Sequence, residues 1–209
     1  MNPPTRRPRQ PRMLLEVRRE QVLDAALRLV HQDGYGAVTM EAVSRAADLA
    51  KPRVYVAYPG VEPLLLALFE RAGKRALATL ADAMPELTAD ADFDDILLTA
   101  MTNLLQAVAA SPESWRLLLL PAGDAPGQVR ERATAARAFA LTRVQALIEW
   151  GRDRRPGLSD LDIELTAISL LAIGERAAHL ILTRPEQFTT ERYQRFARTV
   201  LGLFASQPR

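Results

Sequence analysis

The 209-residue sequence contains no cysteine, two histidines and two lysines. The absence of cysteine excludes disulfides, thiolate metal sites and cysteine nucleophiles. The histidines, His31 and His179, lie near no recognisable nucleophile motif, and no G-x-S-x-G, P-loop or dinucleotide-binding glycine pattern occurs. We therefore expect no enzyme activity, no metal and no cofactor, although a pair of catalytic carboxylates leaves no signature of its own.

Long apolar runs are also missing. No uninterrupted apolar stretch approaches the ~18 residues that a membrane-spanning helix needs. The Pro- and Arg-rich beginning lacks the apolar segment of a secretion signal. Hydrophobic residues make up 48% of the chain, enough for a buried core. We expect a cytoplasmic protein with no membrane partner.

Positive charge is concentrated at the front of the chain. Residues 1–60 carry ten basic and six acidic side chains, whereas residues 61–209 carry seventeen basic and nineteen acidic ones. The excess comes mainly from Arg6, Arg7, Arg9, Arg12, Arg18 and Arg19. Such asymmetry indicates that this end meets a polyanion, or that it is a solvated basic leader.

Hydrophobic periodicity and capping residues predict an all-α chain of about nine helices. We divide it into a disordered basic tail (1–14), a helix-turn-helix DNA-binding domain (15–60) and a helical ligand-binding and dimerisation domain (61–209). The predicted helices are Leu15–Gln32, Met40–Ala47, Lys51–Tyr58, Glu62–Ala83, one from the Asp92 cap to Ala110, Pro112–Leu120, Gln128–Arg155, Leu161–Leu182 with a Ser159/Asp162 capping box, and a last helix from Thr189 or Thr190.

The second and third predicted helices are short and separated by a tight break. Thr39 predicts an N-cap, and Gly34 a positive φ after the first helix. The break lies at Asp48-Leu49, and a left-handed turn there would come at some cost, since aspartate is one of the few residue types other than glycine that tolerate that region. Pro52 fits the first turn of the third helix, where its missing N–H costs no bond. Two short helices joined in this way are typical of a helix-turn-helix.

Residues 19–68 resemble the N-terminal signature of the TetR family of transcriptional regulators. The resemblance rests on an alanine-pair helix, a Gly-aromatic step, a Thr-capped helix and a lysine-led recognition helix ending in Tyr-x-x-aromatic. The matching segments are Val22–Val30, Gly34-Tyr35, Val38-Thr39-Met40, Val43, Ala46-Ala47 and Lys51–Tyr58. The resemblance implies a DNA-binding regulator with a divergent helical C-terminal domain.

A recognition helix in the major groove predicts which residues contact DNA. Arg53 is the first candidate for base readout because its planar fork fits guanine, with Lys51 reading a base or holding a phosphate. Val56 and Ala57 suit a thymine methyl group. Thr39, Tyr55, Tyr58 and Arg45 suit phosphates, although Tyr55 is alternatively a core residue and Arg45 a solvated one. The candidate set is Thr39, Arg45, Lys51, Pro52, Arg53, Tyr55, Val56, Ala57 and Tyr58.

Three positions depart from the family pattern. Asp48 replaces a glycine in the turn, and Ala50 replaces a serine cap. Val61 stands where the family usually has a phosphate-binding lysine, so one backbone contact is lost unless the basic tail replaces it.

The resemblance also implies a homodimer on a pseudo-palindromic operator of double-stranded DNA, controlled by a small-molecule effector. The alternative for the eighth helix is that it forms the core of its own domain. The predicted dimer-interface residues are Leu165, Ile168, Leu171, Ala172, Ile181, Phe196, Val200 and Phe204. The predicted apolar ligand-binding residues, each of which is alternatively a plain core residue, are Phe69, Met101, Leu105, Trp115, Leu118, Phe139 and Trp150. Glu175 and His179 are also predicted for the ligand site, where they would orient the ligand together with Arg176; alternatively these three polar residues pair across the dimer.

A mostly apolar lining indicates a hydrophobic or aromatic effector. Two other interpretations compete with a ligand-released repressor. The first is a sensor of the same fold that has lost specific DNA binding, which Asp48 and Val61 favour. The second is an activator, because DNA binding does not fix the sign of regulation.

Overall fold

The computed structural model describes residues 14–81, 88, 90–119, 123–155 and 160–205, with the side chains of 79–81 and 203–205 left aside. Within these ranges the chain forms nine α-helices and one 3-10 turn, Tyr35–Ala37, and no strand. The all-α prediction is confirmed. The helices are α1 (Leu15–Asp33), α2 (Met40–Ala46), α3 (Lys51–Ala57), α4 (Val61–Ala81), α5 (Phe93–Ala110), α6 (Pro112–Leu119), α7 (Gly127–Gly151), α8 (Ile163–Thr183) and α9 (Thr190–Ala205).

Local capping chemistry explains where several helices begin. The Asp92 side chain accepts a hydrogen bond from the Asp95 amide at 3.0 Å and starts α5 as predicted. Asp162 caps α8 in the same way, accepting from the Leu165 amide at 3.0 Å. The predicted capping box, with Asp162 inside the helix, is therefore wrong, and Ser159 lies outside the described residues. Thr189 caps α9 through the Arg192 amide, 3.3 Å away.

The end of α7 differs from the prediction by four residues. The helix stops at Gly151, and the amides of Arg154 and Arg155 bond back to the Gly151 carbonyl in a turn. Arg155 then forms an ion pair with Asp94 at 2.8 Å, which ties this turn to the start of α5. The apolar spacing of α7 carries no information about this tertiary contact, so it predicted a helix that is too long.

Contacts divide the chain into two compact units, Met1–Leu68 and Phe69–Arg209. In the first unit, α1 packs against α2 and α3, and the buried face of α1 includes Val22, Ala25 and Ala26. In the second unit, α8 packs against α5, α6 and α7, while α9 packs against α5. The expected basic tail falls outside the described residues.

Helix α8 is strongly apolar along much of its length. It is the one helix of the described ranges that is long and hydrophobic enough to cross a membrane, with a mean hydropathy of 1.5. No membrane-spanning candidate was expected here because polar residues interrupt every apolar run of the sequence. In the fold α8 contacts three other helices, and a third of its most apolar 18-residue window is buried.

Gly151 is required where α7 meets the first residue of α5. A Cβ added to Gly151 would overlap the ring of Phe93, which is itself buried. We predict that Gly151→Ala lowers the free energy of unfolding by about 1–3 kcal/mol, because the ring has no room to retreat. Urea unfolding followed by circular dichroism measures this loss.

Gly73 in α4 is the matched control, since a Cβ there meets nothing within 4 Å. Gly73→Ala should raise stability by up to about 1 kcal/mol through helix propensity alone. Equal unfolding midpoints for Gly151→Ala and the parent protein would contradict the steric role of Gly151.

Candidate DNA-binding interface

Helices α2 and α3 form the predicted helix-turn-helix. The Thr39 hydroxyl oxygen accepts a hydrogen bond from the Ala42 amide at 3.0 Å, which confirms the predicted cap of α2. Ala50 provides no side-chain cap to α3, and Pro52 lies in its first turn, both as predicted. Helix α3 therefore depends on the turn before it and on its neighbours to hold its position.

The turn adopts the left-handed conformation predicted at Asp48, with φ of 49°. Among the described residues it is the one non-glycine residue with positive φ. The Ser44 hydroxyl donates to the Leu49 carbonyl at 2.6 Å, and the Leu49 amide donates to the Ser44 carbonyl at 3.1 Å. Sequence reasoning missed Ser44 because a serine inside a helix gives no sign that it closes a turn two residues after the helix ends.

Helix α1 donates side-chain hydrogen bonds to the carbonyl ends of both short helices. Gln21 Nε2 donates to the Ala47 carbonyl at 2.7 Å, and Arg28 donates to the Ala46 carbonyl at 2.8 Å. Arg19 Nε donates to the Ala57 carbonyl at 3.3 Å. The last carbonyls of a helix have no partner within the helix and carry partial negative charge, so these donors stabilise them. They fix α2 and α3 to one support.

The outward face of α3 is basic at its beginning and apolar further along. Lys51, Pro52 and Arg53 are exposed in the first turn. Tyr55 is 46% exposed and Val56 is 63% exposed. Since Val54 lies on the opposite, fully buried side, the exposed residues form a continuous surface of the size and polarity that the major groove accepts.

Two of the residues predicted for DNA contact are largely buried. Ala57 is 3% exposed and packs inward, so it cannot meet a thymine methyl group. Tyr58 is 9% exposed, and the Arg19 guanidinium lies over its ring at 5.9 Å. The core tyrosine of this helix is therefore Tyr58, while Tyr55, which was alternatively predicted for the core, is at the surface.

Thr39 and Arg45 are exposed next to this face. Arg45 forms an ion pair with Glu41 at 3.3 Å, with side-chain exposures of 74% and 65%. A pair this exposed contributes little stability and separates easily, so it leaves Arg45 accessible to a phosphate.

The predicted ligand-binding residues are only partly brought together. Leu105 and Trp115 belong to a buried apolar cluster formed by parts of α4, α5, α6 and α8, and Met101 and Leu118 pack against it. Phe69 is buried, but it is not part of this cluster. His179 is half-buried on α8.

Three of the remaining predictions for the ligand site fail or find other partners. Phe139 is 61% exposed on α7, so it lines no interior space in this chain. Trp150 is half-buried under the Arg154 guanidinium, 4.4 Å from its ring, and lies outside the cluster. Glu175 binds Arg137 of α7 through two hydrogen bonds of 2.8 and 3.2 Å, an interaction that raises the pKa of Arg137.

Two open depressions occur on the described surface. One follows a single side of α7 from Gly127 to Ala138, and the other lies between α1 and the end of α2, near Gln21 and Asp48. Neither contains a predicted ligand residue. No group of three or more potential metal ligands occurs within the described ranges.

The residues predicted for a dimer interface differ in their exposure to solvent. Leu165 is 62% exposed, Ile168 38% and Phe196 60%, whereas Ile181 is only 6% exposed. Ile181 belongs to the core of its own domain, so its placement in the interface is wrong. Leu171 and Val200 are half-buried and Ala172 is exposed, while the Phe204 side chain lies outside the described residues.

A helix-turn-helix with an exposed basic recognition helix is the arrangement of a DNA-binding unit. Comparisons with known proteins show which regulators this unit is similar to. Residues 22–68 match the model of the bacterial regulatory proteins of the tetR family. The match covers the helix-turn-helix part of the chain, which is therefore similar to the DNA-binding domain of these regulators.

Relatives extend this similarity over the rest of the chain. The HTH-type transcriptional repressor KstR of Rhodococcus jostii (strain RHA1) is 28% identical over 182 residues, which cover 76% of this chain and 85% of that protein. A TetR-like transcriptional regulator from Rhodococcus sp. RHA1 superposes with a TM-score of 0.70 at 24% identity, covering 91% of this chain and 99% of the other. SmeT in complex with triclosan gives a TM-score of 0.65 at 21% identity, over 87% and 88% of the two chains. These two solved structures show the shared fold.

The hydrogen bond from the Ser44 hydroxyl to the Leu49 carbonyl supports the turn between α2 and α3. Ser44→Ala leaves the Leu49 carbonyl without its side-chain donor, which should cost about 1 kcal/mol of unfolding free energy. Urea unfolding measures the loss. Thr134→Ala in α7 is the control, because the Thr134 hydroxyl also donates to a carbonyl, that of Arg130 at 3.0 Å, but on an exposed helix where water replaces it. Equal losses in the two variants would show that Ser44 has no special role in the turn.

Proposed function

We propose that this protein is a homodimeric repressor that binds a pseudo-palindromic operator and is released from it by a small hydrophobic or aromatic ligand. The proposal of DNA binding is supported by the exposed face of α3, which has Lys51 and Arg53 at its start and Tyr55 and Val56 beyond them. Repression is supported by the similarity to the repressor KstR.

In this proposal each residue of the face has a separate role. Arg53 reads a guanine through its two parallel donors, and Val56 contacts a thymine methyl group. Lys51 reads a neighbouring base or binds a phosphate. Thr39, Arg45 and Tyr55 bind phosphates, which position the protein without selecting sequence. Val61 supplies no such contact, since it has neither a charge nor a donor.

The competing function is a sensor that no longer reads specific DNA. Asp48 and Val61 are the two residues that favour this alternative. The conformation of the turn removes the argument from Asp48, because Asp48 occupies the left-handed region while a hydrogen bond between Ser44 and Leu49 closes the turn around it. The helix-turn-helix therefore keeps its geometry without the glycine. Salt-dependent binding that is equally weak on the upstream intergenic DNA and on random DNA would favour the sensor.

Replacing Arg53 tests the reading role. Arg53→Ala should weaken binding to the operator by about 1–3 kcal/mol and relax the preference at one base pair, with little change on random DNA. Fluorescence anisotropy over a salt series measures both affinities. Arg143→Ala, at an exposed position of α7, is the matched control for loss of one positive charge. Equal losses on operator and random DNA would place Arg53 on a phosphate instead.

The dimer is proposed to form through the outer face of α8 together with α9. Leu165, Ile168 and Ala172 follow one another at three- and four-residue steps, opposite the buried residues Ala167, Ala177 and Ile181. Such a stripe requires a partner, and one monomer occupies only one half-site. Phe196 is a further exposed apolar residue, on α9.

Leu165→Glu should convert the dimer to a monomer, because burying an unpaired carboxylate at the interface costs several kcal/mol. Sedimentation velocity at micromolar concentration measures the change, and operator affinity should fall with it. Leu77→Glu is the control, since Leu77 is 56% exposed on α4, away from the stripe. A dimer that survives Leu165→Glu would move the interface elsewhere.

A further inference from the structure

Trp115 of α6 combines deep burial with an unsatisfied polar atom. The residue is 7% exposed, and its indole Nε1 is enclosed without a hydrogen-bond partner among the described residues. An indole N–H can only donate, so it needs an acceptor. Buried polar groups are nearly always paired in folded proteins, and an exception requires an explanation.

The described residues around Trp115 supply no acceptor for its indole N–H. The cluster is formed by aliphatic residues and alanines, including Leu105, Val108 and Ala178. Among the apolar and aromatic residues packed against it, Tyr193 is the one that carries a polar group. An oxygen of a bound ligand would give the indole N–H the acceptor that these residues do not provide.

The border of the cluster is also unfavourable for a cation. Burial raises the pKa of Tyr193, while the charges of Arg176 and Arg192 act in the opposite direction. Two guanidinium groups are therefore close enough to Tyr193 for their field to act there. A ligand that brought an ammonium group to this side would meet both charges and would offer Trp115 no lone pair.

The packing of the cluster indicates the shape of the ligand. The two surface depressions described above are lined by residues outside this cluster. The side chains that can move are the half-buried Met101, Leu104, Leu118 and Leu119 at its edge. Rotamer changes in methionine and leucine open a narrow channel, which suits a flexible chain better than a rigid ring system.

We propose that Trp115 is the polar anchor of the effector, and that the effector is an unbranched apolar chain with an oxygen acceptor bonded to the Trp115 indole N–H. A ketone and a carboxylate share this chemistry. The effect of this ligand on DNA binding rests on the proposed function. Binding of the ligand at Trp115 does not.

Calorimetry on the full chain with decan-2-one, decanoate and decylammonium tests the proposal. The two acceptor probes should bind, and decylammonium should bind at least about tenfold more weakly than decanoate. Trp115→Phe keeps an aromatic ring and removes the donor, so it should weaken decan-2-one about threefold to tenfold and decanoate about tenfold to a hundredfold. Trp150→Phe is the matched control, because it removes an indole N–H outside the cluster and should leave both affinities unchanged.

Indole ¹H–¹⁵N spectra of the parent protein give a second measurement of binding, which does not require the Trp115→Phe variant to fold. The Trp115 resonance should move when either acceptor probe binds, and the Trp150 resonance should stay in place. The proposal is overturned if neither acceptor probe binds, if decylammonium binds as well as decanoate, or if the Trp115 resonance does not respond.

Binding of the ligand-free protein to operator DNA separates this inference from the proposed function. If the protein binds the operator but neither acceptor probe, the proposed anchor is overturned and the proposed function stands. If the protein binds the probes through Trp115 but binds no operator, the proposed function is overturned and the anchor stands.

Discussion

The hydrogen bonds from α1 to the ends of α2 and α3 are the constraint on which the DNA-binding unit depends. Gln21 and Arg28 hold the end of α2, and Arg19 holds the end of α3. Both helices have only seven residues, too few to be stable alone in water. Their existence and their orientation therefore both come from α1, whose buried face packs against them while its polar side chains reach their exposed carbonyls.

The same arrangement makes the unusual turn tolerable. Asp48 in the left-handed region costs on the order of 1–2 kcal/mol relative to a residue in the right-handed region. The Ser44 bond to Leu49 and the Gln21 bond to Ala47 lie on either side of it and offset that cost. A glycine at this position is one solution to the geometry of the turn, and a locally hydrogen-bonded aspartate is another.

Local chemistry made much of the fold predictable from the sequence, and tertiary packing set the rest. The caps at Thr39 and Asp92 and the turn at Asp48 follow from residue types and their neighbours. The end of α7 at Gly151 depends on Phe93, which is distant in sequence. The exposure of Tyr55 and the burial of Tyr58 also come from the fold, because α3 ends at Ala57 and the extended backbone of Tyr58 places its ring under the Arg19 guanidinium. In the C-terminal unit, nearly every apolar residue suits either a core or a ligand site, so the pattern did not separate them.

The double contact of Arg19, with the Ala57 carbonyl and the face of the Tyr58 ring, has a consequence for regulation. It joins the end of the reading helix to its support, so α3 moves with α1 as one rigid piece. In the repressor proposed above, a signal that reached this unit would change where the piece lies and would leave the pattern of donors on its surface intact. Ligand binding would then adjust how much of the operator is occupied without changing which sequence is read, so a partly induced cell would occupy the same set of genomic sites less often instead of a different set.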